Sequence, residues 1–485
     1  MRYFVKVFGC QMNHSDAERI SAFLNKYKIK QAASADEADL VIFVTCGVRQ
    51  SAEDRVYGLI NNIQKKYPDK KIILTGCLAH RKDVQRRLKN KVNLYFPISD
   101  FQTFENWIIE NCLKIENLKL KIPAQDNCRS GIDYLSIKPK YSGIYSAYVP
   151  VMTGCNNFCA YCVVPYARGR EYSRPAEDIL REVKSLVKKG YKEIMLLGQN
   201  VNSYLDFLPS DEGRCPKDRG VLRVQQTEAT PPPAPSSPEE GRISGVDFPK
   251  LLQLIEKIPG KFWLIFLTSH PKDMSDELIE TIAKSKKICE YISLPAQAGD
   301  NEIIRKMNRK YTIEHYKDLI KKIRTAYGRQ EPGSCQLARA GFLPTISTDI
   351  IVGFPGETKK QFENTENLLK EMKFDMAYIA QYSPRPETTA WKLKDNVSKK
   401  EKARREKVLT EILKKTALAN NKKYINEIVE VLVDKYIDPS TKKYLAHTRT
   451  QKRIIFYSKK KSLIGQFAKV KIVKAKAFGL EGEII

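Results

Sequence analysis

Three cysteines in one short segment carry the strongest chemical signal in this sequence. Cys155, Cys159 and Cys162 form a C-x-x-x-C-x-x-C pattern, placed after the first predicted strand of an alternating strand–helix region. Zinc sites usually have four protein ligands, often in two C-x-x-C pairs, and no fourth ligand lies near this segment. Three thiolates in one loop fit a cubane with three protein-bound irons and one open iron. The pattern therefore favours a [4Fe-4S] cluster over an incomplete zinc site.

A second set of cysteines is predicted from position rather than from spacing. Cys10, Cys46 and Cys77 each follow a predicted strand and precede a predicted helix. The carboxyl ends of parallel strands share one crevice, and helix N-termini there stabilise thiolates. These three cysteines are therefore predicted to hold a second cluster. The other cysteines match no such pattern and are interpreted as structural: Cys112, Cys128, Cys215, Cys289 and Cys335.

Alternating strands and helices are predicted to position both cysteine sets. Short apolar runs at residues 3–8, 40–44, 72–74 and 92–96 are separated by helical stretches from about Ser15, Ser51 and Arg81. The sequence Ser15-Asp16-Ala17-Glu18 has the capping-box form, which predicts that the first helix begins there. The alternation resumes after Tyr148. This order predicts parallel α/β sheets in both regions.

Four further segments complete the predicted organisation. Residues 206–245 are rich in proline and are interpreted as an insertion, and residues 329–341 as a shorter one. Charged residues 398–423 predict a connecting helix. The tail from Tyr424 has strand-like runs at residues 428–433, 454–456 and 468–473, which suggest a small β-barrel.

Length and charge limit the class of protein. The chain has 485 residues, enough for about three domains. The net charge is +28, and residues 399–485 contribute 23 Lys/Arg against 9 Asp/Glu, a net of +14. This concentration favours a nucleic-acid partner over mere solubility. The sequence has no apolar run of membrane-spanning length and begins with strand-like alternation rather than a secretory signal, so a cytoplasmic location is predicted.

At these residues the sequence resembles the radical-SAM tRNA methylthiotransferase family. The resemblance rests on nine segments: residues 9–13 (GCQMN), 45–49 (TCGVR), 75–77 (TGC), 154–171 (GCNNFCAYCVVPYARGRE), 198–204 (GQNVNSY), 268–271 (TSHP), 349–358 (DIIVGFPGET), 382–386 (YSPRP) and 447–450 (HTRT). Apart from the two insertions, the similarity covers nearly the whole chain.

The resemblance implies a domain plan with two clusters. It implies an N-terminal domain over residues 1–125, a radical-SAM partial (β/α) barrel over 141–395, the connecting helix over 396–423 and a TRAM-like RNA-binding β-barrel over 424–485. Cys155, Cys159 and Cys162 would bind the catalytic [4Fe-4S] cluster that chelates S-adenosyl-L-methionine (SAM). Cys10, Cys46 and Cys77 would bind an auxiliary [4Fe-4S] cluster that presents the sulfur. Further cofactor contacts are expected at Tyr161, Gly198, Asn200, Ser269, Gly353 and Gly356.

The implied reaction replaces a hydrogen on C2 of a tRNA adenosine by a methylthio group. Activation of an aromatic C–H bond needs a radical, which the SAM cofactor supplies while the protein positions it. The implied partners are tRNA and a low-potential electron donor of the flavodoxin or ferredoxin type. The implied enzyme acts without a membrane and as a monomer.

The residues around Cys10 resemble the branch that acts on N6-isopentenyladenosine beside the anticodon. Two alternatives stay open, namely methylthiolation of threonylcarbamoyl-adenosine and a non-catalytic iron–sulfur protein that binds RNA. Three positions depart from the family pattern. His447 follows Ala446 where a glycine and a basic residue are usual, Glu387 replaces a glycine, and Ala298-Gly299-Asp300 replaces a serine-containing turn.

Overall fold

A computed structural model describes residues 1–47, 50–113, 133–206, 245–328, 344–438, 440–460 and 462–485. Three folded parts follow one another along the chain: an N-terminal parallel sheet, central parallel strands with helices, and a C-terminal closed barrel. This mixed α/β architecture confirms the predicted fold class. Within these ranges, no helix combines the length and the apolar character that crossing a membrane requires.

The N-terminal part is a five-stranded sheet in the order β2-β1-β3-β4-β5, with every pair parallel. Its central strand, β3, is buried at every residue because apolar clusters cover both faces of the sheet. The strands are β1 Arg2–Val7, β2 Lys30–Gln31, β3 Leu40–Thr45, β4 Lys71–Gly76 and β5 Leu94–Phe96, and the helices are α1 Gln11–Lys26, α2 Gln50–Lys66, α3 Lys82–Arg87 and α4 Phe101–Ile108.

The start of α1 differs from the sequence prediction. The helix begins at Gln11 with Cys10 as its N-cap residue, so the predicted start at Ser15 is wrong. The Ser15 hydroxyl accepts a hydrogen bond from Arg19 at 2.6 Å, and the buried Asp16 carboxylate accepts one from Arg168 at 2.6 Å. Both side chains therefore serve partners inside the protein instead of capping a helix. As a consequence, the N-terminus of α1 lies directly at Cys10.

The central part contains two three-stranded parallel sheets, β6-β9-β12 and β13-β14-β15. A bridge between Leu264 and Ile288 connects them. The strands are β6 Ser146–Pro150, β7 Met152–Thr153, β8 Tyr172–Ser173, β9 Glu193–Leu197, β10 Leu205–Asp206, β11 Val246–Asp247, β12 Trp263–Phe266, β13 Tyr291–Ser293, β14 Thr345–Val352 and β15 Met376–Gln381. The helices are α5 Val164–Arg168, α6 Ala176–Lys188, α7 Phe248–Glu256, α8 Asp276–Lys284, α9 Asn301–Lys306, α10 Ile313–Gly328 and α11 Lys359–Met372.

The two predicted insertions lie largely outside the described residues. The ends of the first are paired, because β10 and β11 form a short antiparallel ribbon with Leu205 opposite Asp247. Residues 207–244 and 329–343 lie outside the described residues, so the predictions made for them are not tested.

The C-terminal part is a closed five-stranded barrel in the order β16-β17-β18-β20-β19, preceded by the long helix α12 Lys399–Lys422. The strands are β16 Ile428–Asp438, β17 Lys443–Thr448, β18 Arg453–Tyr457, β19 Phe467–Lys476 and β20 Gly479–Ile484. The sequence predicted the connecting helix and three of these strands. It missed β17 and β20, which contain the alanine, histidine and glycines that weaken strand propensity.

The segment that resembles an RNA-binding motif faces the protein interior. His447 is 9% exposed, and its ring nitrogens lie 2.7 Å from both the Glu193 and the Asp434 carboxylates. Arg449 binds Glu290 at 3.0 Å, and Lys452 binds Asp375 at 2.7 Å. Glu193 is the first residue of β9, so the barrel docks at the amino ends of the central strands. The departure at His447 therefore concerns docking rather than a direct RNA contact.

His447 should stabilise the docked barrel in a pH-dependent way. Burial lowers the pKa of His447, but its hydrogen bonds to Asp434 and Glu193 outweigh this and raise it to about 10. A pKa raised in the folded state gives stability that is complete below the unfolded pKa of about 6.5 and is lost as pH rises toward 10. We expect His447→Ala to cost about 3 kcal/mol at pH 6.5, measured by denaturant unfolding, because two carboxylates lose their cation.

Two comparisons check this interpretation. The deficit of His447→Ala should shrink steadily between pH 7 and pH 10. Adding Glu193→Gln and Asp434→Asn to His447→Ala should recover most of the lost stability, because no buried charge is then unpaired. A deficit that is independent of pH would mean that His447 acts through packing against Trp263 instead.

Candidate cluster-binding and cofactor site

The sheet brings the three N-terminal cysteines to one edge. Cys10, Cys46 and Cys77 follow β1, β3 and β4, which are neighbours in the sheet. A β-carbon placed on Gly9 would lie 2.7 Å from the Cys46 β-carbon, and one on Gly47 would lie 3.2 Å from that of Cys77. The loops carrying the three thiols are therefore packed against one another, and at Gly9, where φ is 139°, a larger residue would collide with Cys46.

Two of these cysteines, Cys46 and Cys77, are buried, whereas Cys10 is exposed. Burial raises the pKa of the Cys77 thiol, and the Arg168 guanidinium opposes that rise. The Cys10 thiol donates a hydrogen bond to Asn13 at 3.3 Å. Neutral thiols must lose their protons before they can bind iron, so metal binding here is coupled to proton release.

The loop with the second cysteine set is fixed by its own backbone. The Cys155 amide donates to the Gly169 carbonyl at 3.1 Å, and the Cys162 amide to the Cys159 carbonyl at 2.9 Å. The Ala160 amide donates to the Met307 carbonyl at 2.9 Å. Burial raises the pKa of Cys155 to about 11. The loop thus presents three thiols from a rigid frame.

The segments that carry the two cysteine sets pack against each other. A β-carbon placed on Gly47, next to Cys46, would lie 3.3 Å from Cγ2 of Val163, next to Cys162. Burial raises the pKa of Cys162, and the thiols of Cys159, Cys155 and Cys77 raise it further. In the described part of the chain, no three His, Cys, Asp or Glu side chains converge on the position of a single metal ion. A four-iron cubane is larger than one ion, and its thiolates surround it from separate directions.

Buried polar atoms at the ends of β9 and β12 fit a polar cofactor. Asn200 and Ser269 are 1% and 5% exposed, and both follow these strands. The Asn200 amide nitrogen donates to Asp273 at 2.7 Å, whereas its oxygen and the Ser269 hydroxyl lack a hydrogen-bond partner among the described residues. The Gln199 side-chain oxygen is also buried and lacks a hydrogen-bond partner among the described residues. Buried polar groups are normally satisfied, so these positions suit the amino, carboxylate and ribose groups of SAM.

Of the remaining predicted cofactor residues, Tyr161 and Gly198 lie near the cysteine loop and the end of β9, and Gly353 and Gly356 lie in the loop after β14. Tyr161 lines the cavity beside Cys162, and Gly198 packs against Met152, where a β-carbon would lie 2.5 Å from Cγ. Gly353 and Gly356 have positive φ angles of 71° and 80°. A β-carbon on Gly353 would collide with Lys402 of α12, so the structure gives this glycine a packing role as well.

One cavity of about 830 Å³ connects all three parts of the chain. Its wall includes Gly47 from the N-terminal sheet, Tyr161 and Cys162 from the cysteine loop, and Phe478 from the C-terminal barrel. An apolar strip along β14 and β15 completes the wall: Ile350, Ile351, Met376, Ala377, Ile379 and Ala380. The cavity can therefore hold a ligand that has both an aliphatic group and an aromatic ring, in contact with Cys162.

Sequence reasoning missed the buried ion pairs that close this cavity. Arg385 donates to Glu53 at 3.0 Å and to Gln50 at 2.8 Å, and Arg81 donates to Glu53 at 2.8 Å. These contacts fasten α2 to the loop after β15. Arg385 lies within a segment that carried the resemblance, but its partner is 332 residues away in the sequence.

The other two departures from the family pattern have local structural accounts. Glu387 has a φ of 73°, a conformation that favours the usual glycine, and its carboxylate lies 3.4 Å from the His80 ring. Asp300 caps α9 by accepting hydrogen bonds from the Glu302 and Ile303 amides. Neither position touches the cysteine sets.

Comparison with known proteins gives matches along the entire chain. Residues 149–369 match the Radical SAM superfamily, residues 2–96 match Uncharacterized protein family UPF0004, and residues 422–485 match the TRAM domain.

Relatives named tRNA-2-methylthio-N(6)-dimethylallyladenosine synthase include one from Clostridium botulinum strain Hall at 39% identity, with 100% of this chain and 97% of the relative covered. Others come from Clostridium novyi at 38%, covering 100% and 96%, and from Thermoanaerobacter pseudethanolicus at 36%, covering 100% and 92%. The solved structure of the radical S-adenosylmethionine methyltransferase TsrM from Kitasatospora setae aligns over 80% of this chain and 74% of that chain, at 13% identity and a TM-score of 0.49.

Proposed function

Because this chain belongs to the radical-SAM tRNA methylthiotransferase family, we propose that it methylthiolates C2 of N6-isopentenyladenosine next to the anticodon of tRNA. The observation that supports this most directly is that the segments of both cysteine sets meet at one cavity, with Gly47 beside Cys46 and Cys162 itself in its wall. A non-catalytic scaffold would not need this cavity or the polar atoms of Asn200 and Ser269 beside it.

We propose specific ligands for the two [4Fe-4S] clusters. Cys155, Cys159 and Cys162 hold the cluster that binds SAM, and Cys10, Cys46 and Cys77 hold the auxiliary cluster. When bound, these groups supply a 5′-deoxyadenosyl radical from SAM and the sulfur that is transferred. The packing of Gly47 between Cys77 and Val163 keeps the two cysteine-bearing segments adjacent.

The chain's own residues orient SAM and exclude water. Asn200, held by Asp273, and Ser269 offer their unpaired oxygens to the polar groups of SAM. Tyr161 lies beside Cys162 and covers the cofactor from the cavity side. Gly198, Gly353 and Gly356 allow the strand-end loops to close around it. The apolar strip of β14 and β15 receives the isopentenyl group.

We also propose the domain bounds, the cellular location and the partners of the enzyme. The domains span residues 1–125, 141–395, 396–423 and 424–485. The enzyme works as a cytoplasmic monomer with a flavodoxin- or ferredoxin-type electron donor. The family relationship and the net charge of +14 over residues 399–485 support tRNA as the macromolecular partner.

Phe478 should contribute to RNA binding from the barrel. It lies in the β19–β20 turn, is 44% exposed and lines the cavity that contains Cys162. Stacking of a base on an aromatic ring is worth about 1–3 kcal/mol. We therefore expect Phe478→Ala to weaken binding of the tRNA about tenfold, measured by fluorescence anisotropy, with unchanged iron content.

Tyr457 provides a matched control for this variant. It is another exposed aromatic side chain of the barrel, 59% exposed, and it lies on β18 away from the cavity wall. Tyr457→Ala should leave tRNA affinity within about twofold of wild type. Equal losses for the two variants would contradict a specific place for Phe478 beside the reacting nucleotide.

A further inference from the structure

Arg168 crosses from the central part into the N-terminal part. It is the last residue of α5, six positions after Cys162, and its side chain is 2% exposed. Its Nη2 donates to the Asp16 carboxylate at 2.6 Å and to the Asn13 amide oxygen at 3.3 Å. Asn13 is also the acceptor for the Cys10 thiol. A guanidinium from one cysteine loop is therefore fixed beside the other cysteine set.

One nitrogen of this guanidinium is left for another acceptor. Nη1 of Arg168 is buried and finds no oxygen or nitrogen acceptor among the described residues, while the guanidinium lies within hydrogen-bonding reach of the Cys77 thiol. An unsatisfied buried donor costs about 1–3 kcal/mol, and more when it is charged. The charge of Arg168 acts on both Cys10 and Cys77. The missing acceptor is thus expected on the side of these two cysteines, where thiolates and cluster sulfurs are the available anions.

Arg309 has the corresponding position beside the other set. It is 8% exposed, and its Nη1 donates to the Cys159 sulfur at 3.5 Å. Its Nη2 donates to the Pro295 carbonyl at 3.0 Å, and its Nε donates to the Tyr311 hydroxyl at 3.3 Å. These bonds fix the plane of the guanidinium so that one nitrogen faces sulfur.

We propose that each cluster has its own buried counter-cation, Arg168 for the auxiliary cluster and Arg309 for the SAM-binding cluster, and that each raises the reduction potential of its own cluster. The inference rests on the proposed function, because it takes the two cysteine sets as cluster ligands. Reduction adds a negative charge to a cluster, and a fixed N–H donor toward its sulfurs stabilises that charge. The two arginines therefore set the potentials separately although the sites are neighbours.

The test measures each cluster alone in the full-length chain. Arg168→Gln is titrated in a background that lacks Cys155, Cys159 and Cys162, and Arg309→Gln in a background that lacks Cys10, Cys46 and Cys77. Redox titration followed by electron paramagnetic resonance should show that each variant lowers the reduction potential of its cluster by about 59 mV. This shift corresponds to a tenfold change in the one-electron reduction equilibrium. The Arg→Lys variants should recover part of the shift because they keep the charge.

Controls separate electrostatics from folding. Arg168→Gln leaves Asp16 buried without its cation, so the double variant Arg168→Gln/Asp16→Asn is compared with Asp16→Asn alone, and the shift between these two should persist. Arg174 is a buried arginine that bonds to Pro150 and Glu182, and Arg174→Gln should move neither potential.

The outcomes distinguish this inference from the proposed function. Reconstituted wild type without two clusters would overturn the ligand assignment itself. Two clusters whose potentials are unchanged in Arg168→Gln and Arg309→Gln would overturn only the counter-cation inference. The same would follow if Arg174→Gln shifted the potentials equally.

Discussion

Anaerobically reconstituted protein is expected to carry about eight irons and eight sulfides per chain, as two four-iron clusters. Replacing Cys155, Cys159 and Cys162 together by Ala should remove about half of both, and turnover should be abolished. Replacing Cys10, Cys46 and Cys77 should remove the other half and also abolish methylthiolation. The reason is that the two sets lie on different elements, one after the neighbouring strands β1, β3 and β4 and the other in a single loop before α5.

Chemical analysis of iron and sulfide, with electron paramagnetic resonance of the reduced protein, measures this result. Cys112→Ala is the matched control because Cys112 is a partly buried cysteine in neither set, and it should change nothing. Retention of SAM cleavage without methylthiolation in the variant lacking Cys10, Cys46 and Cys77 would show that the two sites have separate roles. Stoichiometric zinc with negligible sulfide would contradict the cluster assignment.

The substrate preference is the second large effect. Given reductant and SAM, the enzyme should convert N6-isopentenyladenosine in tRNA and should react poorly with the same tRNA lacking the isopentenyl group. Five buried carbons at about 0.8 kcal/mol each amount to about 4 kcal/mol, an upper limit of about a thousandfold in kcat/KM. Tyr378 on the cavity wall is 48% exposed, so burial of the group is incomplete and at least about tenfold is expected.

A threonylcarbamoyl-adenosine tRNA provides the competing substrate. Its polar, charged group would enter the apolar strip of β14 and β15 without a partner, so little product is expected. Rates with the three tRNAs, measured by liquid chromatography and mass spectrometry of the digested nucleosides, decide the branch. An equal or faster rate on the threonylcarbamoyl substrate would reassign the branch and leave the reaction class unchanged.

The sequence predicted the features that depend on local pattern. Spacing made Cys155, Cys159 and Cys162 candidate cluster ligands. The positions of Cys10, Cys46 and Cys77 after apolar runs predicted that parallel strands would bring them to one edge, as the sheet order β1-β3-β4 does. The apparent capping box at Ser15 predicted the wrong start for the first helix, because Ser15 and Asp16 accept hydrogen bonds from arginine side chains instead. Asp16 bonds to Arg168 across 152 positions of sequence, and no local pattern encodes that partner.

Charge was informative in bulk but not for single residues. The excess of lysine and arginine in the tail predicted a nucleic-acid partner, which the match to the TRAM domain supports. The side chains of His447, Arg449 and Lys452 nevertheless form ion pairs that dock the barrel. Phe478, which no charge pattern marks, is the barrel residue on the cavity wall. Only the packing of the barrel against the central strands separates these roles.

Nucleoside mass spectrometry of tRNA from cells that lack this chain, and from the same cells that regain it, tests the proposed function most directly. Cells without it should accumulate N6-isopentenyladenosine, and the 2-methylthio derivative should return with the wild-type chain. It should not return with the variant in which Cys10, Cys46 and Cys77 are replaced by Ala. Identical nucleosides in the presence and absence of the wild-type chain would contradict the proposed function.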